Sequence, residues 1–218
     1  MLAHPPSDVA KQDVGTVEHP AQRTNRSRAQ LLRRALVTAG ALSAAGTLGS
    51  LPRFASSSPS RAQDARILNL VLLLEYVEAA FYADARAKGT LRGELRKFAT
   101  VVGGHEQQHV SFLKKALGAA ARQEPRLNFG KATTDPDAFV AAAVALEDTS
   151  VAAYNGQATN LTADTLGAAA RIVSVEARHA AWIRAIAGKV PAADATDAPM
   201  TGAQVLAALR KTGFVRTS

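Results

Sequence analysis

Two Glu-x-x-His motifs stand out in this chain: Glu106-Gln107-Gln108-His109 and Glu176-Ala177-Arg178-His179. Each runs on through two small or branched residues to an aromatic and then an aliphatic one, Phe112-Leu113 and Trp182-Ile183. Upstream of each, by 31 and 29 residues, is a Leu-Glu pair followed after six residues by a tyrosine: Leu74-Glu75 with Tyr82, and Leu146-Glu147 with Tyr154. Glu and His three apart on a helix share a face, with β-carbons roughly 5–6 Å apart, so both can reach one cation. Four carboxylates and two imidazoles suit two divalent cations, because carboxylates balance charge and can bridge while each imidazole caps one ion. One Glu-x-x-His would say little. Two copies, each behind the same Leu-Glu-x6-Tyr and in the same order, nominate Glu75, Glu106, His109, Glu147, Glu176 and His179 as metal ligands. Exposed helix charges are the competing explanation, and the apolar residues flanking these glutamates argue against it, since such positions are buried.

Neighbouring polar residues are weighed against that set. Glu78 competes with Glu75, but the repeat places Ser150 opposite Glu78, so Glu75 is the expected ligand and Glu78 a neighbour of the ligands or a surface residue. His105 lies a quarter-turn off the motif face and is expected beside a ligand or in solvent. Phe112 and Trp182 are expected to pack in the core. No catalytic residue beyond the metal ligands is nominated, and no organic cofactor site.

Helices must carry these residues. Ala, Leu and Val dominate the apolar content, and aromatics are 5% of the 218 residues, a mix suited to close-packed helices. Apolar periodicity predicts a helix from about 65 to 88, stopped by Gly89, and a second from the Thr90 cap to about 117. Gly103-Gly104 inside the second marks a kink or a close helix contact. A third helix follows the Asp135 cap with Pro136 in its first turn and runs to about 157; a fourth runs from the Thr162 cap to about 188. After a loop over 191–200 comes a short helix, about 201–211. Folding each hairpin about its turn brings the paired glutamates within about 3 Å of one level. The connection over 118–134 can extend up to ~55 Å, enough to run the length of a helix and start the third helix parallel to the second.

With these motifs in place, residues ~64–188 resemble the ferritin-like superfamily, in particular exported members built as a lone bundle. The resemblance implies an all-α, ferritin-like antiparallel four-helix bundle with one long crossover between the second and third helices and a short C-terminal helix. It implies Glu106 and Glu176 as bridging carboxylates, Glu75 and Glu147 as terminal ones, and one histidine per metal. Tyr82 and Tyr154 resemble the tyrosines of rubrerythrin and ferritin relatives that hydrogen-bond a ligand carboxylate. Two iron or two manganese ions are the implied cofactor, with Fe(II), O2 or peroxide as the reactant, in a ferroxidase, peroxidase or manganese-catalase-like manner. A non-catalytic, metal-binding or stress-related bundle is the alternative. A monomer or homodimer is expected and a storage cage is not, given the short last helix.

Composition bounds the rest. There is no cysteine, which excludes thiolate zinc, iron–sulfur and disulfide chemistry. The net charge is +8, but residues 1–62 hold eight basic and three acidic residues, a net +5, and the remainder carries only +3. No nucleic-acid recognition motif accompanies the charge, so no nucleic-acid partner is expected. Residues 1–62 are expected to be a disordered arm, in which His4 and His19 are inert, followed by an export signal; 63–190 form the bundle and 191–218 the C-terminal loop and helix. Arg23, Arg26, Arg28 and Arg33-Arg34 precede a weakly apolar stretch from Ala35 to Leu51, then Pro52-Arg53 and the serines from Ser56. That order resembles a twin-arginine signal, implying the twin-arginine translocase as a partner, a periplasmic or extracellular location, and cleavage after Ala55 or Ala62. At ~17 residues with glycine interruptions, the stretch is at the lower limit for a span, and no stable membrane anchor is expected.

Overall fold

The computed structural model describes residues 58–216. The expected arm and the twin-arginine-like segment lie almost wholly outside the described residues. The described part is helical: α1 (Arg61–Lys88), α2 (Gly93–Leu117), α3 (Pro136–Gln157), α4 (Ala163–Ile186) and α5 (Gly202–Thr212). There is no strand among the described residues, only an isolated antiparallel bridge between Leu127 and Val215. No described helix is long and apolar enough to cross a membrane.

The helix ends follow local chemistry. The start of α1 is earlier than periodicity predicts, because Ser60 accepts from the Gln63 N–H and caps the first turn. Ala62, one of the two expected cleavage positions, therefore lies within the first turn of α1. The α2 helix starts later than predicted: Arg92, not Thr90, is its N-cap residue, with no side-chain cap. Asp135 caps α3 with Pro136 in the first turn, as predicted, and α5 opens with a capping box between Thr201 and Gln204. A β-carbon at Gly103 would lie 2.8 Å from the Tyr82 β-carbon, so glycine permits a close approach of α1 and α2.

The helices pair as hairpins, α1 with α2 and α3 with α4, and the hairpins meet α1 against α3 and α2 against α4. The crossover climbs α1 between them. Asn69 donates to the Ala120 carbonyl and accepts from the Arg122 N–H, Tyr76 donates to the Arg122 carbonyl, and Thr133 donates to Asp84 at 2.6 Å. From Asn69 to Asp84 is ~22 Å of helix rise, which returns the chain to the end where α2 began. Thus α3 starts parallel to α2, and an antiparallel four-helix bundle with one long crossover results, as expected.

The core is split in two. One cluster gathers Leu74, Phe81, Tyr82, Phe98, Phe139, Leu146 and Ile183, together with Val205, Leu209 and Phe214 from α5 and its tail. Phe81 stacks on Phe139 with ring centroids 5.0 Å apart. The other cluster holds Ile67, Leu72, Tyr76, Val110, Leu113, Tyr154 and Ile172. On α1, α2 and α4 the residues between the two clusters are Glu75 and Glu78, Glu106 and His109, and Glu176 and His179; on α3, Glu147 lies between Leu146 and Tyr154. A polar layer thus interrupts an otherwise apolar interior, which is costly unless something compensates its charge.

Candidate metal centre

All four helices contribute to that layer. Glu75, Glu106, Glu147 and Glu176 are fully buried; His109 and His179 are 9% and 3% exposed. Two groups of four side chains have ligand atoms within 4.8 Å of one another: Glu75, Glu106, His109 and Glu176, and Glu106, Glu147, Glu176 and His179. Glu106 and Glu176 belong to both. The six residues nominated from sequence spacing are therefore brought together in the pairing that the repeat implies.

Both imidazoles aim Nδ1 at carboxylates. His109 Nδ1 lies 3.2 Å from Glu75, 3.0 Å from Glu106 and 2.8 Å from Glu176. His179 Nδ1 lies 3.0 Å from Glu106, 3.5 Å from Glu147 and 3.6 Å from Glu176. One N–H cannot serve three carboxylates well. Despite the short distances, Glu106 Oε1, Glu147 Oε2, both Glu176 oxygens and His179 Nδ1 have no aligned hydrogen-bond partner. Five buried polar atoms converge there without an aligned partner, and no Lys or Arg among the described residues enters the layer. A hard or borderline cation satisfies such atoms, and two divalent cations neutralise four carboxylates. The donor set fits a dinuclear centre.

Electrostatics of the protein groups agree. Burial pushes the Glu147 carboxyl up to about 8, with Glu106 and Glu176 adding to the rise. Burial and the Glu176 charge likewise hold Glu75 well above the usual carboxylate range. Burial disfavours charge on His109 and His179, yet the surrounding carboxylates, which can accept from each protonated ring, outweigh it and push both to about 12. Positive charge is wanted there.

Tyr82 and Tyr154 each reach one of these glutamates. Tyr154 donates to Glu75 Oε1 at 2.6 Å and Tyr82 donates to Glu147 Oε1. Each tyrosine thus holds one oxygen of a glutamate of the other repeat, leaving that carboxylate's second oxygen facing a histidine. Glu78 is wholly buried and is not a surface residue; Ser150 Oγ lies 2.8 and 3.0 Å from its two oxygens, and Glu78 joins neither ligand group.

Two expectations about aromatics divide. Trp182 is half-buried, packs edge-on against Phe98 and donates to Glu94 at 3.0 Å. Phe112 is not in the core: it is 38% exposed, because its position on α2 falls outside the arc that α1 and α4 cover. Between α2 and α4 a surface cavity of about 430 Å³, lined by His105, Gln108, His109, Arg178, His179 and Trp182, reaches the histidine side of the layer. His105, which sequence reasoning left beside a ligand or in solvent, contacts His179.

Comparison with known protein families finds a match to the family described as a ferritin-like domain over residues 63–189, more than half of the chain. No curated protein matches it. Bundle topology, crossover, buried carboxylate–histidine layer and family match agree: the chain belongs to the ferritin-like domain family.

Proposed function

We propose that this protein is an exported ferritin-like metalloprotein whose dinuclear iron or manganese site acts on Fe(II), O2 or peroxide. One observation carries the reading: two buried four-residue ligand groups share Glu106 and Glu176. In it, Glu106 and Glu176 would be shared by the two ions, Glu75 and Glu147 would each serve one, and His109 and His179 would each hold one through Nδ1. Bound metal would supply the electron exchange with Fe(II), O2 or peroxide. The chain's own groups do the rest. Tyr82 and Tyr154 hold the terminal carboxylates in place through one oxygen each. Each histidine gives up its Nδ1 proton on loading, so metal uptake weakens in acid. The two apolar clusters keep bulk water from the carboxylates, and the α2–α4 cavity is the approach for a small reactant. The export part of the proposal rests on the order of basic, apolar and small residues from Arg23 to Ser60.

Elemental analysis of protein from the exported fraction, followed by Fe(II)-oxidation and peroxide-consumption assays, tests the proposal. About two iron or manganese ions per chain are expected, with turnover lost in Glu106→Ala and Glu176→Ala. Unchanged turnover in both variants refutes the assignment. Metal bound without either reaction leaves a structural metal-binding bundle. Replacing Arg33-Arg34 with lysines should retain the protein in the cytoplasm; undiminished export refutes the twin-arginine reading.

A further inference from the structure

The two site histidines differ at their second nitrogen. His179 turns Nδ1 toward the carboxylates, and its Nε2 lies 2.8 Å from His105 Nδ1. The two rings are inclined by only 16°, with centroids 5.1 Å apart. That separation is close to the nitrogen–nitrogen contact plus the two ring radii. The rings therefore meet edge to edge in nearly one plane, as a linear N–H···N bond requires, and not face to face. An imidazole that binds a cation through Nδ1 keeps its proton on Nε2, so His179 is the donor and His105 Nδ1 the acceptor. His109 has no equivalent support. Its short contacts all run through Nδ1, and no described residue accepts from its Nε2. The internal repeat states the same asymmetry: the position matching His105 is Val175, which has nothing to accept with and lines the same cavity.

We propose that His105 is a positioning residue for His179, accepting its Nε2 proton, fixing its ring orientation and tautomer, and making the Glu147–His179 half of the centre bind metal more tightly than the Glu75–His109 half. This rests on the dinuclear reading above. A hydrogen-bond acceptor behind a histidine ligand aligns the ring and raises its basicity, and loss of such a partner weakens metal binding about 10–100-fold. His105 is only partly buried, so its replacement leaves no core cavity.

Two measurements on the full chain test the assignment. The first is nuclear magnetic resonance of metal-free, nitrogen-labelled protein. It should show a His179 Nε2 proton coupled across the hydrogen bond to His105 Nδ1. Absence of that coupling overturns the contact. The second is titration with Mn(II), comparing wild type with His105→Val, which installs the repeat's own residue, and His105→Asn, whose side-chain oxygen can still accept. Two unequal steps are expected in wild type. His105→Val should weaken the tighter step about 10–100-fold and spare the other, and His105→Asn should recover most of the loss. Wild-type and His105→Val isotherms that superimpose, or two steps that weaken equally, overturn the positioning role alone. A wild-type protein that takes up neither Mn(II) nor Fe(II) overturns the dinuclear reading and this role with it.

Discussion

Replacing Ser150 with Ala isolates the one fully buried glutamate, among the described residues, that the ligand set does not use. Glu78 is fully buried, and the Ser150 hydroxyl is its hydrogen-bond partner, lying within 3.0 Å of both oxygens. Burial and the charge of Glu147 hold the Glu78 carboxyl well above its usual range. The substitution removes a single oxygen and leaves almost no cavity, so its cost is that of stranding a buried polar group, about 1–3 kcal/mol. For a domain of this size that is a fall of roughly 2–12 °C in Tm. Adding Glu78→Leu removes the stranded group, and the double variant should recover most of the loss, because replacing both partners by apolar groups of similar shape is nearly neutral. Thermal unfolding followed by circular dichroism on metal-free protein, arranged as a double-mutant cycle, reads both terms. Metal content read alongside should stay at two ions per chain in all three variants. A Ser150→Ala protein that melts with its parent, or a Glu78→Leu protein that loses an ion, refutes the placement of Glu78 outside the ligand set.

Gly103→Ala would drive a methyl group to 2.8 Å from the Tyr82 β-carbon; destabilisation of about 1–3 kcal/mol is expected in chemical denaturation, and an unchanged midpoint would contradict the close α1–α2 approach. Asp64 joins the start of α1 to the start of α4 by accepting from the Thr162 N–H and from the Thr162 and Thr165 hydroxyls. Burial raises its pKa, but those bonds and the Arg61 charge outweigh it and hold the group below its ordinary value of 3.8. The linked stability is therefore complete above pH 3.8 and is lost as pH falls through the lower folded value. Asp64→Ala should cost about 1–3 kcal/mol at neutral pH, and the gap to wild type should narrow in acid; a gap independent of pH would contradict the linkage.

Helix positions and the six converging side chains were legible in the sequence because they rest on local rules. Three-residue spacing on a helix puts Glu106 with His109 and Glu176 with His179 whatever the tertiary arrangement. Asp135 with Pro136, and Gly89 after Lys88, are short-range stop and start signals. The duplicated Leu-Glu-x6-Tyr then implied that two hairpins enclose one centre. Signals that depend on competing local partners read less well: the first turn of α1 extends back to Ser60, and α2 begins beyond Thr90.

What only the tertiary structure decided are the contacts between helices that are not neighbours in sequence, α1 with α3 and α2 with α4. Whether Tyr82 supports its own repeat's glutamate or the other's depends on the rotation of α1 against α3, and it reaches Glu147. The burial of Glu78 on Ser150, and the exposure of Phe112, depend on which arc of each helix its neighbours cover. The approach of His105 to His179 depends on the axial offset of α2 against α4. The sequence by itself determined the helices, the ligand residue types and their two-fold repetition, because helical periodicity acts within a few residues. The packing angles and offsets determined how that repetition is broken at the second nitrogens of the two histidines, because side-chain complementarity along four interfaces sets them at once.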